Sequence, residues 1–188
     1  MSQESSRSYA GVETTTAAIV GLLEAMGAFE GIGRKILAAH GMKKIVPTDW
    51  VPLSVGIELY GVVATQLGEN TLFDIGCRVP QSVPWPPEIK DIEAALRSID
   101  VAYHMNHRLR GEVMFNPATG VMLEGIGHYR CERVSRRKIL VTSDTPYPEA
   151  FECGIVTGTA RKFEPTVEVE VDPNRTRSGG SRTFVVTW

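Results

Sequence analysis

The sequence predicts an α+β fold, with amino-terminal helices packed on a carboxy-terminal antiparallel sheet of about four or five strands. Up to about residue 99, apolar residues recur every three or four positions, which is the spacing of a buried helical face. From about residue 112 onward, short alternating segments are separated by turn residues, a pattern typical of strands. Between the strands, Phe151, Ile155 and Phe163 form an apolar stripe on one later helix. We therefore expect that helix to cross the sheet.

Length and composition limit the classes of protein. The 188 residues, 43% of them hydrophobic, suffice for one packed domain, so we assign residues 1–13 to a flexible tail and 14–188 to a single ligand-binding domain. A net charge of −2 excludes the broad positive field of a nucleic-acid-binding protein. No apolar run is long enough to predict membrane insertion. The odd number of cysteines favours reduced thiols and a cytoplasmic protein (Cys77, Cys131 and Cys153).

Five helices are predicted before the sheet, at residues 14–26, 31–39, 48 or 49 to 67, 69–79 and 88–99. Gly41 is the expected stop of the second helix, and Pro52 suits the first turn of the third. Four prolines predict a stiff loop after the fourth helix, because proline disrupts helices and central strands (Pro80, Pro84, Pro86 and Pro87).

Strands are predicted at residues 112–115, 121–132, 139–141, 166–171 and 182–188, the last at the edge of the sheet. In the second of these strands, Tyr129, Cys131 and Arg133 share one face by the two-residue period of a strand. An aromatic ring, a thiol and a guanidinium in one row are an unusual surface to bury unless a polar group meets them.

These segments resemble two related families. The sequence YRCER at residues 129–133, followed by a helix and a strand at 167–171, is similar to the Tyr-x-Ser-x-Arg strand of haem–nitric oxide/oxygen binding (H-NOX) domains. The order of elements and the terminal stretch GGSRTFVVTW also resemble 4-vinyl reductase-type ligand-binding domains, which share a fold superfamily with subunits of the TRAPP trafficking complex. Cys131 replaces the serine of the H-NOX pattern, and the H-NOX amino-terminal signature is not visible.

The resemblance implies a small-molecule-binding sensor or carrier that holds a hydrophobic ligand, such as a tetrapyrrole, between helices and sheet. The alternatives are a haem-based gas sensor of H-NOX type, a tetrapyrrole-processing enzyme or accessory, and an assembly subunit. We favour a non-enzymatic reading, since the sequence shows neither a nucleophile elbow nor a phosphate loop. The cofactor stays open between haem, another tetrapyrrole and none, and we expect a separate signalling partner.

Two histidines follow the fifth predicted helix. Either His104 ligates a haem iron or contacts a buried ligand, or His104 and His107 both cap the helix carboxyl end, where a cation is favoured. We choose His104 as the ligand because it is nearer the helix. The His-x-x-His spacing has no cysteine or acidic partner at ligand spacing, so a metal is predicted only as the iron of haem.

The remaining site residues each have two interpretations. Tyr129 and Arg133, with Cys131 between them, either clamp an acidic group of the ligand or are a core tyrosine and a strand-end arginine. Tyr103 and Trp85 either line the pocket or belong to the core. If the clamp is right, we expect a buried arginine whose anionic partner is the ligand.

A homodimer is predicted from the first helix. Its apolar residues present more surface than one neighbouring helix should cover (Ile19, Val20, Leu22, Leu23 and Met26).

Overall fold

The computed structural model describes residues 9–42, 44, 46, 49–175 and 180–188. It confirms the α+β class. The described helices are α1 (Thr16–Met26), α2 (Glu30–Ala39), α3 (Leu53–Leu67), α4 (Glu69–Ser82), α5 (Ile92–Met105) and α6 (Glu149–Arg161). The strands are β1 (Val12–Thr15), β2 (Trp50–Pro52), β3 (His107–Leu109), β4 (Glu112–Val113), β5 (Phe115–Asn116), β6 (Val121–Met122), β7 (Tyr129–Ser135), β8 (Lys138–Ser143), β9 (Glu168–Val171) and β10 (Arg182–Thr187).

The larger sheet is antiparallel, with four strands in the order β7-β8-β10-β9. The prediction that the last strand lies at the edge is wrong, because β10 pairs with β8 on one side and β9 on the other. Phe184 and Val186 of β10 are completely buried, as expected for an interior strand. The chain thus returns to the middle of its sheet.

A second small sheet, β2-β1-β3-β4, was not predicted. Its strands have two to four residues, too few to show a period-two pattern. β1 includes residues that the sequence analysis had divided between the tail and the first helix. Val12 is buried there, so an ordered strand begins inside the predicted tail of residues 1–13. Residues 1–8 lie outside the described part of the chain.

Three helix boundaries differ from the prediction. The third helix begins at Leu53, since Trp50–Pro52 pairs with β1 instead; Thr48, one expected cap, lies outside the described residues. The helix α4 continues through Pro80, which lies in its last turn, and ends two residues later at Ser82. The helix α5 begins after Asp91, whose Oδ1 accepts a 2.8 Å hydrogen bond from the Ala94 amide, and runs on to Met105.

Glycines allow α4 and α6 to cross at backbone contact. A Cβ placed on Gly76 would lie 2.2 Å from the carbonyl oxygen of Phe151, and one on Gly154 would lie 2.2 Å from that of Phe73. Larger residues would therefore separate the helices. The helix α6 therefore packs closely on α4 of the same chain. Of its predicted apolar stripe, Phe151 is buried and Ile155 and Phe163 are half-buried.

The apolar face of α1 is covered within the chain. Ile19, Leu22, Leu23 and Met26 are each at most 2% exposed, and α1 contacts α2, α3 and α4. The unpaired face that led to the homodimer prediction is therefore absent from the described surface of α1, and the dimer stays a prediction without that support. Among the described residues, no single helix is long and apolar enough to cross a membrane, although the bent pair Thr16–Glu24 and Gly27–Ala39 has the length and composition.

Candidate functional site

Five of the six predicted site residues meet where α5 packs against β7. Tyr103 and His104 lie on α5, and Tyr129, Cys131 and Arg133 lie on β7. Trp85 does not join them. Its indole nitrogen donates a 2.8 Å hydrogen bond to the carbonyl oxygen of Pro80, and its ring packs edge-on against Phe163 at 5.5 Å.

His104 combines complete burial with an unused ring nitrogen. Its Nδ1 lies 2.8 Å from the carbonyl oxygen of Asp100, which can only accept, so Nδ1 carries the proton. Its Nε2 has no hydrogen-bond partner within the described part of the chain. Burial, the largest influence, lowers the pKa of His104, which keeps the imidazole neutral. A neutral imidazole with a fixed tautomer and a free Nε2 lone pair is the form that binds metals.

His107 is equally buried but has both ring nitrogens paired. Its Nδ1 donates to the carbonyl oxygen of Tyr103 at 2.7 Å, and its Nε2 accepts from the Tyr147 hydroxyl at 2.8 Å. Burial lowers the pKa of His107 to about 4. Both histidines bond carbonyl groups of α5, but their lowered pKa values make them neutral, so neither is the cation that the capping interpretation expects. Among the described residues, only His104 keeps a ring nitrogen available.

Asp100 and His128 complete a polar cluster around His104. The Oδ2 of Asp100 lies 3.0 Å from Nδ1 of His128, and its Oδ1 accepts from the Tyr129 amide at 2.9 Å. The His128 ring stacks on the His104 ring, with centroids 4.8 Å apart. Glu124 lies 2.9 Å from the other nitrogen, Nε2, of His128. Burial alone would lower the pKa of His128, but the hydrogen bonds with Glu124 and Asp100 outweigh it and raise the pKa.

The prediction that His104 has no acidic partner at ligand spacing is wrong. Asp100 lies one helical turn before His104, where the two side chains share a face. That signal was available in the sequence. The contribution of His128 was not, because it comes from the loop before β7 and depends on how that loop meets α5.

The two tyrosines of the predicted site belong to an aromatic core. The Tyr103 hydroxyl donates to the carbonyl oxygen of Ile126 at 2.8 Å, and its ring packs edge-on against Tyr129 at 5.6 Å. Burial raises the pKa of both phenols well above the usual value, so both stay protonated. The rings of Tyr60, Tyr147 and Phe151 extend this core between α3 and α6.

Arg133 is a surface residue, which corrects the expectation of a buried arginine. Its side chain is 40% exposed, and its Nη1 donates to Glu93 of α5 at 2.6 Å. The anion that we expected a ligand to supply thus comes from the chain itself. Arg133 also donates to the carbonyl oxygen of Arg136 at 2.7 Å and lies 5.8 Å from the centre of the Trp188 ring.

Burial raises the pKa of the Cys131 thiol to about 11, so this thiol is protonated at neutral pH.

Known proteins resemble this chain in structure but not in sequence. No family model and no curated protein matches the sequence. An Fe(II) unliganded H-NOX protein from K. algicida superposes with a TM-score of 0.67 at 13% identity, covering 92% of this chain and 95% of that one. The chain has the H-NOX fold.

Other solved H-NOX structures agree with this assignment. The protein from S. oneidensis in the Fe(II) ligation state gives a TM-score of 0.65 at 12% identity, over 92% of this chain and 95% of that chain. A T. tengcongensis H-NOX mutant gives 0.64 at 11% identity, over 93% and 96%. Identity this low establishes a common architecture alone. The similarity to 4-vinyl reductase-type and TRAPP domains remains a prediction.

Proposed function

We propose that the chain is a sensor domain that binds haem, with His104 as the axial ligand of the iron. The observation that carries this proposal is the buried Nε2 of His104 without a partner. An unsatisfied polar atom in the interior costs about 1–3 kcal/mol, and such atoms are rare unless a ligand completes them. Structural neighbours described as Fe(II) or Fe(II)NO H-NOX proteins make iron the first candidate for that ligand.

The surroundings of His104 suit an axial ligand. Metal-bound histidines generally donate their other N–H to a carbonyl or carboxylate, which fixes the ring and makes the free nitrogen more basic. The carbonyl oxygen of Asp100 accepts that bond here, and its Oδ1 lies 3.5 Å from the same Nδ1. His107 is a poor alternative because both of its nitrogens are already bonded.

The side chains of the site provide a ligand for the iron of haem, but they provide less for its two carboxylates. Bound haem would supply an iron that can take a diatomic gas. His104 would hold the iron, and the Asp100 carbonyl would keep the proton on Nδ1 of His104. Arg133 already pairs with Glu93, so a carboxylate of the ligand would compete with Glu93 for the guanidinium. Because Arg133 is exposed and already paired with Glu93, we expect Arg133→Ala to weaken binding by less than about tenfold.

A haem titration of the purified protein, followed by absorption in the Soret region, tests the proposal. We expect one equivalent to bind and His104→Ala to weaken binding at least about tenfold. The control is His40→Ala, which removes an exposed histidine on the surface, paired with Glu58. Equal binding by wild type and His104→Ala would reject the assignment. If the Soret absorption does not change when haem is added to wild type, haem is rejected as the ligand. The broader hypothesis of a colourless hydrophobic ligand would then replace it.

A further inference from the structure

The cluster around His104 has a second use that does not depend on a porphyrin. Asp100, His104 and His128 each present a ligand atom within 4.8 Å of the other two. Their order along the chain places two ligands one turn apart on α5 and the third on the loop that packs against it. Two imidazoles and one carboxylate are a common ligand set of zinc and related divalent ions.

The separations are close to those a bound ion needs. At metal–ligand distances of about 2.1 Å, the ligand atoms of a tetrahedral zinc site lie about 3.4 Å apart. Asp100 Oδ2 and His128 Nδ1 are 3.0 Å apart, and one ligand atom from each of the three residues lies within 4.8 Å of the other two. Small side-chain rotations therefore suffice, and the ion would replace the proton now shared by Asp100 and His128.

Two further features resemble a built site. Glu124 accepts a hydrogen bond from Nε2 of His128, which is the outer-shell partner that orients metal-binding histidines. The side chains of His128 and Asp100 are 12% and 19% exposed, so an ion can enter from solvent and keep water as a fourth ligand. The orphaned Nε2 of His104 is an independent sign that the cluster lacks a partner.

We propose that Asp100, His104 and His128 bind a divalent transition-metal ion such as Zn²⁺, and that this ion competes with haem for His104. Neutral imidazole has one lone pair and one N–H. Whichever His104 nitrogen holds the ion, the other carries the proton and is no longer free for iron. The ion site stands by itself, whereas the competition rests on the proposed function.

The ion site is tested on the haem-free protein with ZnCl2 by calorimetry, and with Co²⁺ by the visible absorption of tetrahedral cobalt. We expect one ion per chain. Asp100→Asn, His104→Ala and His128→Phe should each weaken zinc binding at least about tenfold, and Glu124→Gln by about tenfold. Asp100→Asn keeps the shape of the side chain and an oxygen for the Tyr129 amide, so it separates loss of a ligand from loss of folding.

His40→Ala is the matched control, because His40 and Glu58 form an exposed imidazole–carboxylate pair at 2.9 Å with no role in the cluster. This variant should bind zinc like wild type. Absence of zinc binding to wild type, or equal binding by Asp100→Asn and His128→Phe, would overturn the site. To test the competition, haem affinity is measured with and without saturating zinc. Zinc should lower the haem affinity of wild type and leave that of Asp100→Asn unchanged. If zinc does not change the haem affinity of wild type, the competition is overturned while the ion site stands.

Discussion

His104 and His107 lie three residues apart and are both almost completely buried, yet their surroundings differ in kind. His107 lies in the aromatic core, where Tyr103 and Tyr147 satisfy both nitrogens. His104 lies in the polar seam between α5 and β7, beside Asp100 and His128, and its Nε2 has no partner in the part of the chain that the structure describes. Burial alone therefore does not identify a ligand-binding histidine. What distinguishes the two is whether the fold itself uses every nitrogen.

The largest effect is expected in the aromatic core. Phe151→Ala should lower the free energy of unfolding by about 3–5 kcal/mol, because it removes a buried ring that packs on Tyr60 and Tyr147. Urea denaturation measures this change. Zinc binding by the folded fraction should be retained, since Phe151 does not contact the seam. If Phe151→Ala left the melting temperature unchanged but abolished ligand binding, Phe151 would belong to the binding site and not to the structural core.

The pH dependence of stability should report on His107. Because its pKa falls from 6.5 to about 4 on folding, the unfolded chain takes up a proton that the folded chain refuses. Stability from the neutral ring is complete above pH 6.5 and is lost as the pH falls toward 4, by about 1.4 kcal/mol per pH unit. Between pH 7 and pH 5, wild type should lose about 2 kcal/mol more than His107→Leu. Parallel pH profiles of the two proteins would contradict the assigned pKa.

Leucine at each histidine position sharpens the contrast at constant pH. His107→Leu leaves the Tyr147 hydroxyl without its acceptor and should cost about 1–3 kcal/mol at pH 7. His104→Leu removes the Nδ1 hydrogen bond to the Asp100 carbonyl but also removes Nε2, which has no partner among the described residues, so the net cost should stay under about 1 kcal/mol. The two values come from matched chemical denaturation curves. A larger loss for His104→Leu would show that its imidazole is part of the fold.

The smallest effect concerns the exposed end of the seam. Glu93→Gln frees Arg133 and should raise affinity for a ligand that carries carboxylates by about two- to fivefold, the usual range for an exposed ion pair. Arg133→Ala should lower that affinity by a similar factor. Titration with haem and with a haem dimethyl ester separates the carboxylate effect from the rest. If both substitutions change the affinity for haem and for its dimethyl ester by the same factor, Arg133 does not contact the carboxylates of the ligand.

The regular elements were predictable because their patterns are long enough to read. The helices α2 and α6 appear nearly as the apolar periods indicate, and β8 contains the predicted strand at residues 139–141. The single strand predicted at residues 121–132 is wrong, because β6 ends at Met122 and β7 begins only at Tyr129. The strand β2 was read as helix because three residues carry no period. The interior position of β10 depends on its second pairing, with β8, which lies before α6 and β9 in the chain and which no local pattern encodes.

The site was only partly predictable for a similar reason. Asp100 and His104 share one face of α5, a relation that helical spacing shows directly. Tertiary packing brings His128 to Asp100 and Glu93 to Arg133, and no sequence pattern shows either contact. The sequence analysis assigned Arg133 to a buried clamp because strand periodicity gives a face but not a depth. The free nitrogen of His104 appears only when all neighbouring groups are in place.

Rescue of a cavity variant by imidazole tests most directly whether His104 is the metal ligand. His104→Gly should lose the Soret band of the haem-loaded protein, and added imidazole should restore it, because the free base can occupy the vacated space and offer the same nitrogen. His107→Gly is the counterpart and should show no such rescue, since its loss damages the core instead. A wild-type spectrum from His104→Gly without imidazole would contradict the account.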